Sequence, residues 1–167
     1  SSSGIHSNGF SLVRRIIESH SINIFQPSPY DKTKVFADIL MQPTLLYTNA
    51  FLSANKNFKV KSISHITGGG LIENPPRAFN KNLTLLLNME SYKLPPLFNW
   101  IKEAANINFF ELAKTFNCGI GFLIFAEKSD VDTIIKNVND VGYNSFLIGK
   151  MIEKKSNKDV IFDGWDI

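Results

Sequence analysis

One cysteine among 167 residues rules out an internal disulfide and fits a reducing compartment, so a cytoplasmic location is expected. No apolar run approaches the roughly 20 residues that cross a bilayer as a helix, so no membrane association is expected. The first residues lack a charged segment followed by an apolar one, so no secretory signal is visible. The net charge is only +3, and the lysines are spread among acids rather than striped. That is too weak a field to argue for nucleic acid. Repeats and low-complexity tracts are absent. The acids Asp130, Asp132, Asp140 and Glu153 are scattered, so they read as solvated and no metal site is expected on this chain. What is present is ordinary for one globular domain with a real core: 44% hydrophobic and 20% charged residues.

Strand and helix signals alternate along the chain. Helix is expected from Asn8 to His20, with Phe10, Val13, Ile16 and Ile17 on one face. A short helix is expected over 32–41, with Val35, Phe36, Ile39 and Leu40 inward. Pro43-Thr44 breaks it, and the apolar stretch 45–51 reads as strand, followed by a brief helix over 52–55. Strands are expected over 60–67, 83–87, 119–126 and 144–152. Helices are expected after Pro96, over 108–116, and from a Ser129 or Asp130 cap to Val141, where Gly142 ends the last one. This alternation predicts a layered α/β domain.

Two segments carry the chemistry. In the first, His65-Ile66-Thr67-Gly68-Gly69-Gly70, a strand runs into three glycines and a short helix. Glycines there permit positive φ and leave N–H groups uncovered, and a helix start adds free donors, so the geometry suits an anion such as phosphate. Asn74 reads as a cap and Arg77 as solvated. The second, Gly4-Ile5-His6-Ser7-Asn8-Gly9, is a loop running into a helix, with Ser7 or Asn8 as the expected N-cap. An ordinary capped helix does not need His, Ser, Asn and Gly crowded at its start. Asn117, before Cys118-Gly119, reads as a turn residue. His20 reads as structural.

The pair SSSGIHSNGFSLVRR and HITGGGLIENPPR resembles the C-terminal domain of phosphoribosylformylglycinamidine cyclo-ligase. DILMQPTLLY (38–47) and TFNCGIGF (115–122) are similar to two further family stretches, and the resemblance runs in order from Ser1 to about Met151. Leu45 stands where the family usually has arginine, Cys118 where it usually has methionine, and Lys150 where it often has an acid.

The resemblance implies a mixed sheet with helices on both faces. It implies that residues 1–167 are the substrate-side domain, with a leading strand and an N-terminal ATP-binding domain ahead of them in the parent protein. It also implies the activity: ATP-dependent closure of formylglycinamidine ribonucleotide to aminoimidazole ribonucleotide. ATP and Mg2+ would be bound mainly by the N-terminal domain, the full-length enzyme would be a homodimer, and this chain alone would be inactive. On this reading His6, Asn8 and His65 are the catalytic candidates. Ser7, Gly9, Thr44, Thr67, Gly68, Gly69 and Gly70 are the substrate- or phosphate-binding candidates. The alternatives are a non-catalytic nucleotide-phosphate-binding module, or another synthetase or kinase of the same superfamily.

Overall fold

The computed structural model describes residues 1–90 and 92–165. The chain runs α1 (Phe10–Ser19), α2 (Phe36–Leu40), α3 (Thr48–Ala54), β1 (Val60–His65), α4 (Gly70–Glu73), β2 (Leu83–Asn88), α5 (Pro96–Ala104), α6 (Phe109–Thr115), β3 (Phe122–Ala126), α7 (Val131–Asp140), β4 (Gly149–Glu153) and β5 (Val160–Asp163). The strands form two sheets. β1 and β3 pair antiparallel, with His65 opposite Phe122. β2 lies between β4, antiparallel to it, and β5, parallel to it.

Helices cover both faces, and the alternation of β3 shows why. Leu123 and Phe125 turn toward the main core, which contains Val13, Ile16, Phe98, Ile101 and Leu112 of α1, α5 and α6. Phe122 and Ile124 turn the other way, toward a second cluster made by Tyr47, Ala50 and Ala54 of the α3 segment and Ile134 and Val138 of α7. Period-2 alternation therefore divides one strand between two cores.

The expected layered arrangement is present, with several local differences. Residues 45–51 do not form a strand: Thr48–Ala54 is helix. The buried residues Tyr47, Ala50 and Ala54 recur at i, i+3 and i+7, a helical period hidden inside an apolar run. The second helix is only five residues long, and Val35 is exposed just ahead of it. The third expected strand begins at Phe122 rather than 119, because Cys118 and Gly119 both take positive φ in a turn. β4 begins at Gly149 rather than 144. β5 is an addition that the sequence reading did not contain.

Helix ends differ too. Neither Ser7 nor Asn8 caps α1; Gly9 does, at φ 83° and without a side-chain bond. Asp130 holds the N-cap position of α7, one of the two expected, but makes no side-chain cap bond; its carboxylate accepts from Lys59 at 2.5 Å. Asn108 caps α6 through its side-chain oxygen, which accepts from the Glu111 N–H at 2.9 Å. Gly142 ends α7 as expected, with Tyr143 N–H reaching back to Val138 O. Near the C-terminal end, Trp165 stacks on Phe109 at 4.5 Å and lies nearly parallel to Phe162.

Candidate active site

The segment 116–121 is the platform on which both glycine-containing loops rest. Asn117 is 3% exposed, and its carboxamide donates to Gly4 O and Ile5 O. Its oxygen accepts from the Ser2 hydroxyl and from Gly119 N–H. Ser2 N–H donates to Gly119 O at 2.7 Å. Gly9 lies flat against the Phe116 ring, with no room for a Cβ. The other loop meets the same platform: Ile66 N–H donates to Gly121 O, and Gly70 packs on the carbonyls of Ala113 and Phe116 where a Cβ would overlap. Asn117 is thus a turn residue, as the sequence reading held, and one with long reach.

The glycine loop is braced from within. Asn74 stands at the cap position after α4, as expected, but it is buried and its side chain turns back on the loop: its Nδ2 group donates to Thr67 O, Gly68 O and Gly70 O at 3.3, 3.0 and 2.9 Å. The Thr67 hydroxyl donates inward to Asn74 Oδ1 at 3.1 Å. Gly69 and Gly70 take φ of 94° and 56°, which only glycine adopts at low cost. The N–H groups of Gly68 and Gly69 have no protein partner among the described residues. The helix that follows has only four residues, so the usable donors are these two amides rather than a macrodipole. Glu73 brings an acid to the same place: a Cβ on Gly69 would lie 2.7 Å from its carboxylate oxygen.

The fold brings the two loops together. A Cβ on Gly68 would lie 3.4 Å from Asn8 Oδ1. The Tyr47 ring lies between the two histidines, 6.2 Å from His6 and 5.6 Å from His65, and stacks on Phe122 at 5.0 Å. Its hydroxyl donates to Ser1 O, and burial pushes its ionisation up. His65 is exposed at the end of β1.

His6 is 7% exposed and held at φ 61°, in the left-handed region. Burial, and then the neighbouring His65, hold its pKa below the ordinary 6.5. Its Nε2 accepts from Ser3 N–H at 3.3 Å, so the neutral ring carries its proton on Nδ1. That Nδ1 is buried and has no partner. A buried donor without an acceptor is costly in a finished fold, and groups of this kind cluster where a ligand completes them.

His6, Asn8, His65 and Gly68 therefore converge, and Ser7, Gly9, Thr67, Gly69 and Gly70 follow by chain continuity. Ser7 is exposed and Asn8 half-buried. Thr44 is half-buried in the link ahead of α3, and the preceding Pro43 O accepts from the Ser3 hydroxyl at 2.7 Å. Tyr47, Asn74 and Glu73 were missing from the sequence-derived set. Tyr47 was concealed in a segment read as strand. The signal for Asn74 was its distance of four residues from Gly70, one helical turn, which lets a carboxamide fold back on the loop. No sequence signal distinguishes Glu73 from a solvated acid.

This arrangement defines a class: a helix-covered α/β domain whose two glycine loops meet over a neutral buried histidine. The family of AIR synthase related proteins, C-terminal domain, matches residues 1–161, and the chain belongs to it. Over 158 residues it is 39% identical to phosphoribosylformylglycinamidine cyclo-ligase of Trichlorobacter lovleyi, and over 157 residues 36% identical to that of Neisseria gonorrhoeae. Each match covers 94% of this chain and 45% of the relative. A bifunctional purine biosynthetic protein of Schizosaccharomyces pombe is 35% identical over 158 residues, 95% of this chain and 20% of that protein. The chain thus spans less than half the length of these relatives. Among the described residues no helix is long and apolar enough to cross a membrane.

Proposed function

We propose that the parent protein closes the imidazole ring of aminoimidazole ribonucleotide from formylglycinamidine ribonucleotide, with ATP consumed and ADP and phosphate released, in de novo purine biosynthesis. This chain supplies the substrate side of the site. The supporting observation is the unpartnered Nδ1–H of His6, buried where the His6–Gly9 loop meets the Thr67–Gly70 loop.

The reaction transfers the γ-phosphoryl group of ATP to the formamide oxygen. A substrate nitrogen then attacks the activated carbon, and the C–O bond breaks to release phosphate. Chemistry of this kind is served by positioning and charge stabilisation. His6 Nδ1–H and the Asn8 carboxamide hold the formamide end, where negative charge develops on oxygen. Exposed His65 takes or gives the proton exchanged with that end. The free N–H groups of Gly68 and Gly69 donate to phosphate oxygens, on a loop whose shape Thr67 and Asn74 maintain. Ser7, Gly9 and Thr44 line the approach. Glu73 beside Gly69 suits the cationic amidine better than an anion, so the phosphate lies on the Asn8 side of the loop.

Among the described residues no three His, Cys, Asp or Glu side chains come together as a metal site. ATP and Mg2+ belong, on this proposal, to an N-terminal domain of the parent protein, which acts as a cytoplasmic homodimer.

The test is ring closure by the full-length parent enzyme. His6→Ala lowers kcat by about 10²–10³, the loss expected for one donor to a developing oxyanion. His6→Asn, which restores an N–H near Nδ1, recovers part of it. Glu73→Gln raises KM for substrate with a smaller change in kcat. Wild-type turnover by His6→Ala in a folded enzyme would sink the assignment.

A further inference from the structure

A neutral imidazole carries one proton on either of two nitrogens, and the bond made at one nitrogen decides which. Free histidine favours Nε2–H. His6 has the other form, because Ser3 N–H donates to its Nε2 at 3.3 Å and an Nε2–H would set donor against donor. The place of one backbone amide therefore decides what the cleft meets at Nδ1. A donor there stabilises a developing oxyanion; a lone pair in the same place repels it.

That amide is fixed by the residues on either side of it, and both are tied to Asn117. The Ser2 hydroxyl lies 2.9 Å from Asn117 Oδ1, and Asn117 Nδ2 donates to Gly4 O at 2.8 Å. The other Nδ2 hydrogen goes to Ile5 O at 3.3 Å, a carbonyl with no other donor among the described residues. Ile5 O belongs to the peptide whose plane sets φ of His6. That φ is 61°, a left-handed conformation that histidine keeps only where its surroundings over-determine it. One carboxamide thus holds both the backbone that carries the ring and the amide that orients it.

Asn117 cannot serve the cleft directly. Its oxygen also accepts from Gly119 N–H at 2.8 Å, so every donor and acceptor it has is engaged inside the fold. Gly121, on the same platform, leaves room for the ring: a Cβ there would lie 2.9 Å from His6 Cε1 and overlap the Tyr47 hydroxyl.

We propose that Asn117 is a positioning residue for ring closure, holding residues 2–6 so that Ser3 N–H keeps the His6 proton on Nδ1, aimed at the formamide end of the substrate. The use of that proton rests on the proposed function; its place on the ring does not.

Nitrogen-15 NMR of the ligand-free full-length parent, above neutral pH, reads the tautomer, with His6 identified by its loss in His6→Gln. The wild type should show a protonated Nδ1 and a bare Nε2. Asn117→Ser and Asn117→Asp should each move the ring toward Nε2–H. In turnover, Asn117→Ser should lower kcat by up to about 10²-fold with little change in KM, and should cost nothing further in a His6→Ala background. A wild-type ring protonated on Nε2 overturns the proposal. So does an Nδ1–H form that survives both substitutions, or a full further loss in the double variant. Should both Asn117 variants fail to fold, Ser3→Pro removes the amide and keeps Asn117, and an unchanged tautomer there overturns the proposal equally. A tautomer that shifts as expected in a parent protein without ring-closing activity would uphold the positioning role and refute the proposed function.

Discussion

Asn74 shows how much one carboxamide can determine. Its NH₂ group faces three carbonyl oxygens, and its oxygen takes the Thr67 hydroxyl proton. Only an amide donates and accepts in this way at that size. Asn74→Ala removes these bonds; Thr67 O and Gly70 O keep backbone donors, so the loss falls on Gly68 O and the Thr67 hydroxyl, at about 1–3 kcal/mol. Asn74→Asp keeps the shape but aims a carboxylate at carbonyls, so its folded-state pKa is raised. Stability of that variant is therefore highest at low pH and falls as pH rises above the ordinary aspartate value, unlike the alanine variant. Chemical denaturation of both at pH 5 and pH 8 checks the ranking; equal behaviour at the two pH values would refute the role assigned to the NH₂ group.

Among the elements, α6 is held at its start by the Asn108 side chain. Its loss in Asn108→Ala should cost about 1 kcal/mol. A fall in denaturation midpoint with unchanged slope would register it, and an unchanged midpoint would contradict it. Elements with strong period or punctuation were legible in the sequence: α1 from its i, i+3 face, α5 from Pro96, α7 from Gly142, β1 from its alternation and β2 from an apolar run of strand length. The misreadings share a cause. Residues 45–51 are apolar enough for a strand, but only Tyr47 and Ala50 are buried there, and burial is a tertiary fact. β5 has four residues and pairs with a strand more than 70 residues earlier, so nothing local announces it. The candidate site was legible as two motifs because histidines are few, three in the chain, and runs of glycine are positionally constrained. The platform 116–121 that joins them was visible only as a turn, since one sequence does not show which distant carbonyls Asn117 reaches.

For the whole molecule, buried His6 links the site to pH. Its folded-state pKa lies below the ordinary 6.5, by burial first and His65 second. The unfolded chain takes up this proton below about pH 6.5 while the fold resists it. The stability that depends on neutral His6 is thus complete above that value and is lost as pH falls toward the depressed folded pKa, at no more than about 1.4 kcal/mol per pH unit. Thermal unfolding of wild type and His6→Gln at pH 7.5 and 5.5 checks the sign: acid should narrow the gap between them. A gap that widens in acid would mean that the folded ring is charged.

The tail stack has an optical consequence. Trp165 lies against Phe109 and Phe162, and 6.2 Å from Tyr92, whose hydroxyl bonds to Cys118 O on the platform. The other tryptophan, Trp100, sits apart against Phe36 and Tyr30. With Trp100 replaced by phenylalanine, the remaining indole becomes a single unlabelled fluorophore, excitable through an adjacent phenol whose position follows the segment under both loops. Occupancy of those loops can then be read as a change in emission, with no dye attached and no turnover required.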